Sequence, residues 1–562
     1  FYTYDSVQDT YNPITKVAKG ELMEKTQPYY KTTQQYSLNY KNTFNDLHDV
    51  EALALWEWKE TNTNWFMARR YYSTTSAIPE LDRGDVDNMY NEGNSAVYKY
   101  GGLVGRLNYV YAGKYMAEFS FRYDGSYKTA PDKRWGFFPA VSAGWRISEE
   151  QFMKDLVPQM DNLKLRASWG SIGNDSQLNA SQFVSGWQFE DRFILGGAGN
   201  SSASITNGMK EANLANPNIT WYKVMTTNVG LDGSFWGGKL SFEFDYFYRK
   251  TTGYPATRNT SLPTTSGIPL PQENLNSSDN RGFELSLGTV QRIGNVNLQI
   301  KGNVAYAREK DLYKEQALPL NQYKNWRDNG AYRWKNVTWG YEHIGQFQSY
   351  DEIYNSPIQD GKGNSSLRPG DIKYKDLNGD GLIDANDEKV IGKGTFPDLN
   401  FGLTLAADWK GFDVNILFQG ASNYTQVLNA LTSPFRGPGE GNGFRVWMDS
   451  WHKADYNDPD SEWVPGKFPS LRIEGNDNNS KKSTYWTTDA YYVRLKSIEI
   501  GYTIPKNLLS KVGIEHLRVY ANAYNPLTIT NVKYTDPEAI EGWQSFYYPQ
   551  LKVYSFGVNV SF

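Results

Sequence analysis

Alternation of apolar and polar residues along short segments is the feature that most constrains this chain. In residues 115–123 every second residue is apolar or aromatic, and the residues between them include Glu118 and Arg122. The same period of two recurs elsewhere, for example in residues 240–248. Successive side chains of a β-strand point to opposite faces, so the pattern predicts strands with one apolar and one charged face. There are on the order of fifteen such segments, each about as long as the ~10 residues that a tilted strand needs to cross a bilayer.

The charged face is compatible with two kinds of β-protein. In a soluble sandwich it would meet water, whereas in a membrane barrel it would line the lumen while the apolar face meets lipid. The connections favour the barrel, because the turn at residues 112–114 is tight while the connection across residues 308–398 is very long. Short periplasmic turns opposite long extracellular loops are typical of outer-membrane barrels. We therefore predict an all-β fold, a large antiparallel transmembrane β-barrel with long extracellular loops.

Composition agrees with this fold and narrows the function. Mean hydropathy is −0.65 although 15% of the residues are aromatic, and a barrel reconciles the two values by placing apolar residues at alternate positions. The apolar runs are much shorter than the ~20 residues of a transmembrane helix. A net charge of −4 gives no electrostatic case for binding nucleic acid. The absence of Cys excludes a disulfide scaffold and a thiol nucleophile.

Catalytic motifs are also missing from the sequence. The four His residues are far apart, and no HExxH, CxxC or GxSxG pattern occurs. We therefore predict that the chain is not an enzyme and requires no cofactor.

Two local features interrupt the regular pattern. Arg494 and Lys496 have the parity of the apolar residues that follow them, so a β-bulge near Ser497 would restore the register. Residues 149–156 predict a short helix at a turn, capped by Ser148.

Several segments resemble the SusC-like (SusC/RagA) branch of the TonB-dependent outer-membrane transporters. Residues 134–148, with the sequence RWGFFPAVSAGWRIS, are similar to a signature of that family. Residues 105–126, 162–174, 492–502 and 517–538 contain further matching segments, so the resemblance covers nearly the whole chain. It implies a plugged barrel of about 22 strands, only part of which is covered here.

The resemblance also implies how the chain is organised. Residues 1–562 would be the C-terminal part of the barrel. The chain starts at Phe1 without a signal peptide, so we expect the plug domain, the TonB box and the signal peptide to be absent from it.

Function and partners follow from the same resemblance. It implies import of oligosaccharides across the cell outer membrane of a Bacteroidota-like bacterium. Energy would come from the TonB complex through the missing N-terminal region, and a SusD-like surface lipoprotein would form a lid. The barrel would contact outer-membrane lipid, and a dimer of SusC–SusD pairs is compatible with this arrangement. Peptide import by the same architecture, a passive porin and a soluble β-rich glycan-binding protein stay open as alternatives.

Candidate substrate contacts come from the loops and from the charged strand face. Aromatic rings suit the C–H faces of sugars, and we predict contacts from Trp326, Trp334 and Trp447, although loop packing or an interfacial aromatic belt would also use Trp. The lumen wall would include Glu118, Arg122, Glu243, Asp245 and Arg249.

A calcium-loop spacing occurs in residues 376–387, DLNGDGLIDAND. Oxygen ligands fall at the positions that calcium loops use, with a glycine at the sharp turn. The last position is Asp rather than Glu, which shortens its bidentate reach. The alternative is a polar Asp/Gly-rich turn. The predicted structural Ca²⁺ ligands are Asp376, Asn378, Asp380, the carbonyl of Leu382, Asp384 and Asp387.

Overall fold

The computed structural model describes most of the chain. The described residues are 2–5, 10–13, 20–72, 80–87, 89–180, 182–195, 204–258, 270–317, 319–428, 431–432, 444–472, 476–509, 513–539 and 550–562. Strands dominate this part, and none of its helices has the length and apolar character needed to cross a membrane.

The described residues form 26 strands and five α-helices. The strands are β1 (Tyr2–Asp5), β2 (Thr10–Pro13), β3 (Gly20–Thr26), β4 (Tyr29–Phe44), β5 (His48–Tyr72), β6 (Tyr90–Tyr111), β7 (Tyr115–Ser126), β8 (Trp135–Arg146), β9 (Met160–Asn174), β10 (Gly186–Leu195), β11 (Ser204–Asn213), β12 (Tyr222–Phe235), β13 (Leu240–Thr257), β14 (Gln272–Ile293), β15 (Val296–Tyr313), β16 (Val337–Gly340), β17 (His343–Gln346), β18 (Ile372–Tyr374), β19 (Lys389–Lys393), β20 (Leu399–Trp409), β21 (Phe412–Val427), β22 (His452–Lys453), β23 (Trp463–Val464), β24 (Thr487–Thr503), β25 (His516–Thr530) and β26 (Val553–Ser561). The helices are α1 (Gln151–Leu156), α2 (Gln322–Asp328), α3 (Tyr350–Tyr354), α4 (Asp477–Ser480) and α5 (Lys506–Leu509).

One antiparallel sheet of 16 strands contains most of the long strands, while β10 and β11, with ten residues each, form a separate hairpin. Its order is β26-β25-β24-β21-β20-β15-β14-β13-β12-β9-β8-β7-β6-β5-β3, and β4 pairs with β5 beside β3. Neighbours in the sheet therefore follow one another along the chain, and the strands skipped in this order pair with each other outside the sheet. This is the up-and-down meander of a membrane barrel, and the fold class predicted from the alternation is confirmed.

The two ends of the sheet are connected differently, as predicted. At one end the turns are tight: Ala112 and Gly113 have φ of +52° and +66°, and Lys410 and Gly411 have φ of +46° and +88°. At the other end β15 and β20 are joined across residues 314–398, and β21 and β24 across residues 428–486. The left-handed residues close the short hairpins, because their backbone matches the strand twist.

The apolar face of the sheet is exposed. Phe119 is 43% exposed, Leu107 49% and Leu403 37%, and no second sheet covers them in the described part of the chain. A soluble sandwich would bury these side chains, so the barrel alternative is the one observed. The charged face instead carries ion pairs, such as Arg106 with Glu118 at 3.8 Å.

The predicted irregularities have different outcomes. The bulge is confirmed: Leu417 pairs with Ser497 and Phe418 with Leu495, which leaves Lys496 out of register. The cap at Ser148 is wrong, because a 3₁₀ turn over Ile147–Glu149 precedes α1 and puts Glu150 at the N-cap position.

The main hydrophobic core of the described residues lies in the loops. It joins the β15–β20 connection to the β21–β24 connection and consists of Tyr341, Ile372, Tyr374, Ile383, Leu431, Trp447, Phe468 and Trp486. Asp371, which is fully buried, strengthens this junction. Its carboxylate accepts hydrogen bonds from Arg472 at 2.5 Å and from Asn479 at 2.8 Å. Because these partners are about a hundred residues away in sequence, the two connections form one folded unit.

Candidate functional site

The charged strand face carries the predicted lumen residues. Glu118 pairs with Arg106, and Arg122 donates to Asp124 at 2.9 Å. Asp245 accepts from Arg166 at 2.7 Å. Glu243 and Arg249 have the same parity on β13 as Asp245, so all five predicted residues lie on one face of the sheet.

Sequence reasoning missed the side chains that link these strands. Arg166 binds both Asp232 and Asp245, and Arg518 binds both Asp413 and Glu499. Each guanidinium therefore connects two carboxylates that lie on two different strands. Parity alone places these residues on the charged face, but it does not indicate which of them pair.

A cleft lies at the loop end of β15 and contains two of the predicted Trp residues. Its volume is about 1020 Å³. Trp326 is 56% exposed and projects from α2, which is capped by Asn321 accepting from the backbone N–H of Lys324. Trp334 lies in the segment 333–335, which forms backbone hydrogen bonds with β15. In one of them the backbone N–H of Asp311 donates to the carbonyl of Arg333.

The rings of Trp326 and Trp334 have different surroundings. Trp334 lies against cations, with the guanidinium carbon of Arg308 4.4 Å from the ring centroid and that of Arg281 at 5.6 Å. Trp326 contacts Tyr323 at a centroid distance of 5.5 Å and keeps more of its surface open. Of the two rings, Trp326 is therefore the more accessible to a ligand.

The cleft has more basic than acidic side chains. Lys335 lies 2.8 Å from Glu309 and 3.2 Å from Asp311. Burial acts to lower the pKa of Lys335, but these two carboxylates outweigh it and the pKa is raised. Burial raises the pKa of Asp398, the partner of Arg308. Six basic and three acidic residues line the cleft: Arg308, Lys314, Arg327, Arg333, Lys335 and Lys389 against Asp311, Asp328 and Glu388.

Trp447, the third predicted contact, lies elsewhere. It is 5% exposed and belongs to the loop core, where its ring packs edge-on against Phe468 and Trp486. Its indole is therefore not available at a surface in this conformation. The structure gives Trp447 a packing role that joins the two long connections, and it does not bring Trp447 to the cleft.

The calcium-loop residues form a compact turn. The carboxylate of Asp376 accepts from the backbone N–H groups of Gly379 and Gly381, which have φ of +75° and +80°. Asp387 is fully buried and accepts from Leu377 and Asp384. Within the described ranges, no group of three or more His, Cys, Asp or Glu side chains is placed to hold a metal ion.

The other predicted ligands of this loop also serve the turn. The side chains of Asn378 and Asp380 accept from the backbone two residues further on, and Asp384 accepts from Asn386. Leu382 is exposed, and its backbone N–H is the group that donates to Asp380. The loop is therefore ordered by its own hydrogen bonds in this structure.

Comparison with known proteins identifies what the chain resembles. The family described as "TonB dependent receptor-like, beta-barrel" matches residues 1–526. TonB-dependent receptor P3 of Formosa agariphila is 28% identical over 579 aligned residues, which cover 98% of this chain and 55% of that protein. TonB-dependent receptor SusC of Bacteroides thetaiotaomicron is 26% identical over 82% of this chain and 43% of its own length. The chain thus spans about half the length of these relatives.

Solved structures agree on the fold. The structure of the RagAB peptide transporter matches 98% of this chain and 57% of the compared chain, with a TM-score of 0.73 and 22% identity. The RagAB peptide importer in its open-open state gives a TM-score of 0.77 over 98% of this chain and 56% of the compared chain, again at 22% identity. At this identity the likeness establishes the architecture and no more.

Proposed function

Because the chain belongs to the TonB-dependent receptor β-barrel family and is an outer-membrane protein, we propose that it forms the wall of an importer for oligosaccharides. The proposal is supported by a sheet that turns its apolar face outward and its ion-paired face inward. Such a sheet encloses a polar path while its outer side contacts lipid.

The proposed substrate class rests on one observation, which is the exposed indole of Trp326 in a polar cleft lined by loops. Ring faces pack well on the C–H groups of sugars, and the amide and charged groups around Trp326 offer hydrogen bonds to hydroxyls. Asn329 and Asn336 are among those groups. We assign Trp326 the leading role, since Arg308 occupies one side of the Trp334 ring.

Partners and energy supply belong to the same proposal. A SusD-like surface lipoprotein would close the loop side of the barrel, and the TonB complex would act through a region N-terminal to residue 1. The relative named SusC supports both, and a dimer of such pairs is compatible with them.

Peptide import is the second candidate. It is favoured by the two RagAB structures, whose titles name a peptide transporter and a peptide importer. The excess of basic side chains in the cleft would suit acidic peptides or acidic glycans equally well, so charge does not separate the two.

Uptake assays would test the proposal. A strain that carries the full-length protein would be grown on a panel of oligosaccharides and peptides with Trp326→Ala. The matched control is Trp236→Ala, because Trp236 is 53% exposed but lies at the tight-turn end of the sheet. We expect at least tenfold slower glycan uptake for the Trp326 variant and normal uptake for the control. Unchanged glycan uptake with slowed peptide uptake would favour the second candidate, and unchanged uptake of both would remove Trp326 from the site.

Calcium binding stays a proposal that rests on the motif in residues 376–387. An ion there would stabilise the loop and would have no chemical role. The test is thermal unfolding of the full-length protein in Ca²⁺ and in chelator. We expect Ca²⁺ to raise the Tm and Asp376→Asn to abolish the increase. Identical Tm values in the two buffers would leave the motif as a hydrogen-bonded turn.

A further inference from the structure

On the outward face of β13, β14 and β15, the side chains change from apolar to basic at the same level of all three strands. Tyr246, Phe283 and Tyr306 lie side by side in register across these strands. The rings of Phe283 and Tyr306 are 5.9 Å apart. On the side of this row toward the tight turns the face is apolar, with Phe244, Leu285 and Val304 in the next row. An aromatic row at the end of an apolar band is typical of the membrane interface.

The next two rows toward the loops are basic. The first contains Tyr248, Arg281 and Arg308, and the second contains Lys250, Asp279 and Lys310. The strands show no register shift between these rows and the aromatic row, so the side chains point to the same outward side. We call Lys250, Arg281, Arg308 and Lys310 the outer basic patch.

The height of the patch corresponds to the edge of the membrane. From Leu240, at the tight-turn end of β13, eight residues lead to Tyr248. In a strand with a rise of ~3.4 Å per residue and a tilt of about 40°, this is roughly 20 Å along the membrane normal. The apolar band of a membrane barrel is about 25 Å tall. The patch therefore lies where lipid headgroups begin.

Charge is incompletely neutralised within the patch. Asp279 is paired with Arg281 at 2.9 Å, and Asp398 lies 3.5 Å from Arg308. Lys250 and Lys310 make no ion pair with any described residue. The ring of Trp334 lies within 6 Å of Arg281, Arg308 and Lys310 and fills the space between the cations. Lys310 lies beside this indole, and Lys250 lies two strands away in the same row, on the other side of Asp279. The four cations of the patch face two carboxylates, which leaves an excess of two positive charges.

We propose that the outer basic patch binds the phosphorylated headgroup of a glycolipid in the outer leaflet. Lys250 and Lys310 would contact the phosphate, the two arginines would add hydrogen bonds, and Trp334 would pack on the sugar or acyl boundary. The occupant is a lipid rather than a free anion, because the patch continues directly from the lipid-facing aromatic row on the same strands. Arg308 and Trp334 also line the cleft, so the inference is tested on Lys250 and Lys310, which are not among the residues of the cleft.

Lipid retention would test it. Full-length protein is purified in detergent, stripped of lipid and titrated with lipid A, with dephosphorylated lipid A and with inorganic phosphate, and bound lipid is measured by native mass spectrometry. The test variant is Lys250→Gln with Lys310→Gln. The control is Lys301→Gln, which removes a lysine of β15 from the opposite face of the sheet.

We expect about 30-fold weaker lipid A binding for the double variant, from the contribution of each lysine near an anionic surface, and no change for the control. Dephosphorylated lipid A should bind the unmodified protein as weakly as lipid A binds the double variant. Equal loss in the control would indicate a bulk charge effect and overturn the proposal. So would unchanged binding by the double variant, or inorganic phosphate displacing lipid A at equal concentration. Lys310→Gln alone provides a second measurement if the double variant fails to fold.

Discussion

Arg166 donates from Nη1 to Oδ1 of Asp245 at 2.7 Å, although their strands, β9 and β13, are separated by β12. Gly230 of β12 lies between them in register, opposite Arg166 on one side and Asp245 on the other. A Cβ atom on Gly230 would lie 2.6 Å from Cζ of Arg166. Because Gly230 has no side chain, the guanidinium of Arg166 reaches across β12 to Asp245. The same guanidinium also pairs with Asp232 at 2.9 Å.

The same arrangement recurs at the other side of the sheet. Arg518 of β25 donates from Nε to Asp413 of β21 at 2.9 Å, across β24. Gly501 pairs with Asp413, and a Cβ atom there would meet the guanidinium. At these two positions a glycine on the charged face leaves space for an ion pair that crosses a strand. These ion pairs add side-chain links between strands that are otherwise joined by backbone hydrogen bonds.

Gly230→Ala should break the bond between Arg166 and Asp245 and leave the one to Asp232 intact. The expected cost is about 1–2 kcal/mol, because the two partly buried charged hydrogen bonds to Asp245 are lost. Thermal unfolding in detergent would measure it. Gly302→Ala is the control, since a Cβ atom there would have no neighbour closer than 3.9 Å. If both variants unfold alike, the crossing pair contributes nothing to stability.

The assignment of the two faces predicts that the same substitution destabilises the barrel by different amounts at two neighbouring residues of β20. Leu403→Arg places a charge on the exposed apolar face and should destabilise the barrel by about 2–4 kcal/mol. Thr404→Arg places the same charge on the inner face and should cost less than about 1 kcal/mol, because water reaches that face. Unfolding titrations in lipid vesicles would compare the two. A larger cost for Thr404→Arg would reverse the faces and contradict the barrel.

The sequence predicts the sheet well because each strand carries its own signal. Alternation fixes the face of every side chain, and broken parity located the bulge now seen at Lys496. Which residues pair across strands is not predictable this way, since register is set by turns and by contacts between segments. The role of Gly230 therefore became apparent only once β9, β12 and β13 were placed side by side.

Loop residues are predicted less well, because their surroundings come from distant segments. Trp326 and Trp447 both lie in long connections, outside the regular strand pattern. One is exposed on α2, and the other is buried against Phe468 and Trp486. That difference arises from the packing of two long connections, which no local pattern reports. The wrong cap at Ser148 has a more local cause, because a 3₁₀ turn shifted the helix start to Gln151.

We predict that ion pairs from Arg494 stabilise the position of residues 531–539. Its side chain is only 2% exposed and pairs with Asp536 at 2.8 Å and with Glu538 at 2.5 Å. Arg494→Gln would leave both carboxylates without their cation, so opening of this segment should become easier by about 1.5–3 kcal/mol. Hydrogen exchange at Glu538 would report the opening. Lys496→Gln, two residues along β24, removes an equal charge without touching the pairs, and similar exchange in both variants would contradict the assignment.

We predict that the stability of the long β15–β20 connection depends on pH because of His343. Burial lowers the pKa of His343, so the folded loop favours neutral imidazole, while the opened loop titrates near the ordinary value of about 6.5. The opened state therefore binds more protons below that pH, and loop stability should be complete above about pH 6.5 and fall as the pH decreases. The residue is held by its backbone N–H, which donates to Thr484 at 2.9 Å, and by ring contact with Tyr485.

Hydrogen exchange of residues 341–347, corrected for the intrinsic rate, would measure this dependence between pH 7.5 and 5. His343→Gln keeps a polar side chain of similar length but cannot take up a proton in this range. The variant should lose the acid-induced increase in exchange while matching the unmodified protein at pH 7.5. If the increase persists in the variant, another group titrates on opening, and the junction between the two connections responds to acid by a route that does not involve His343.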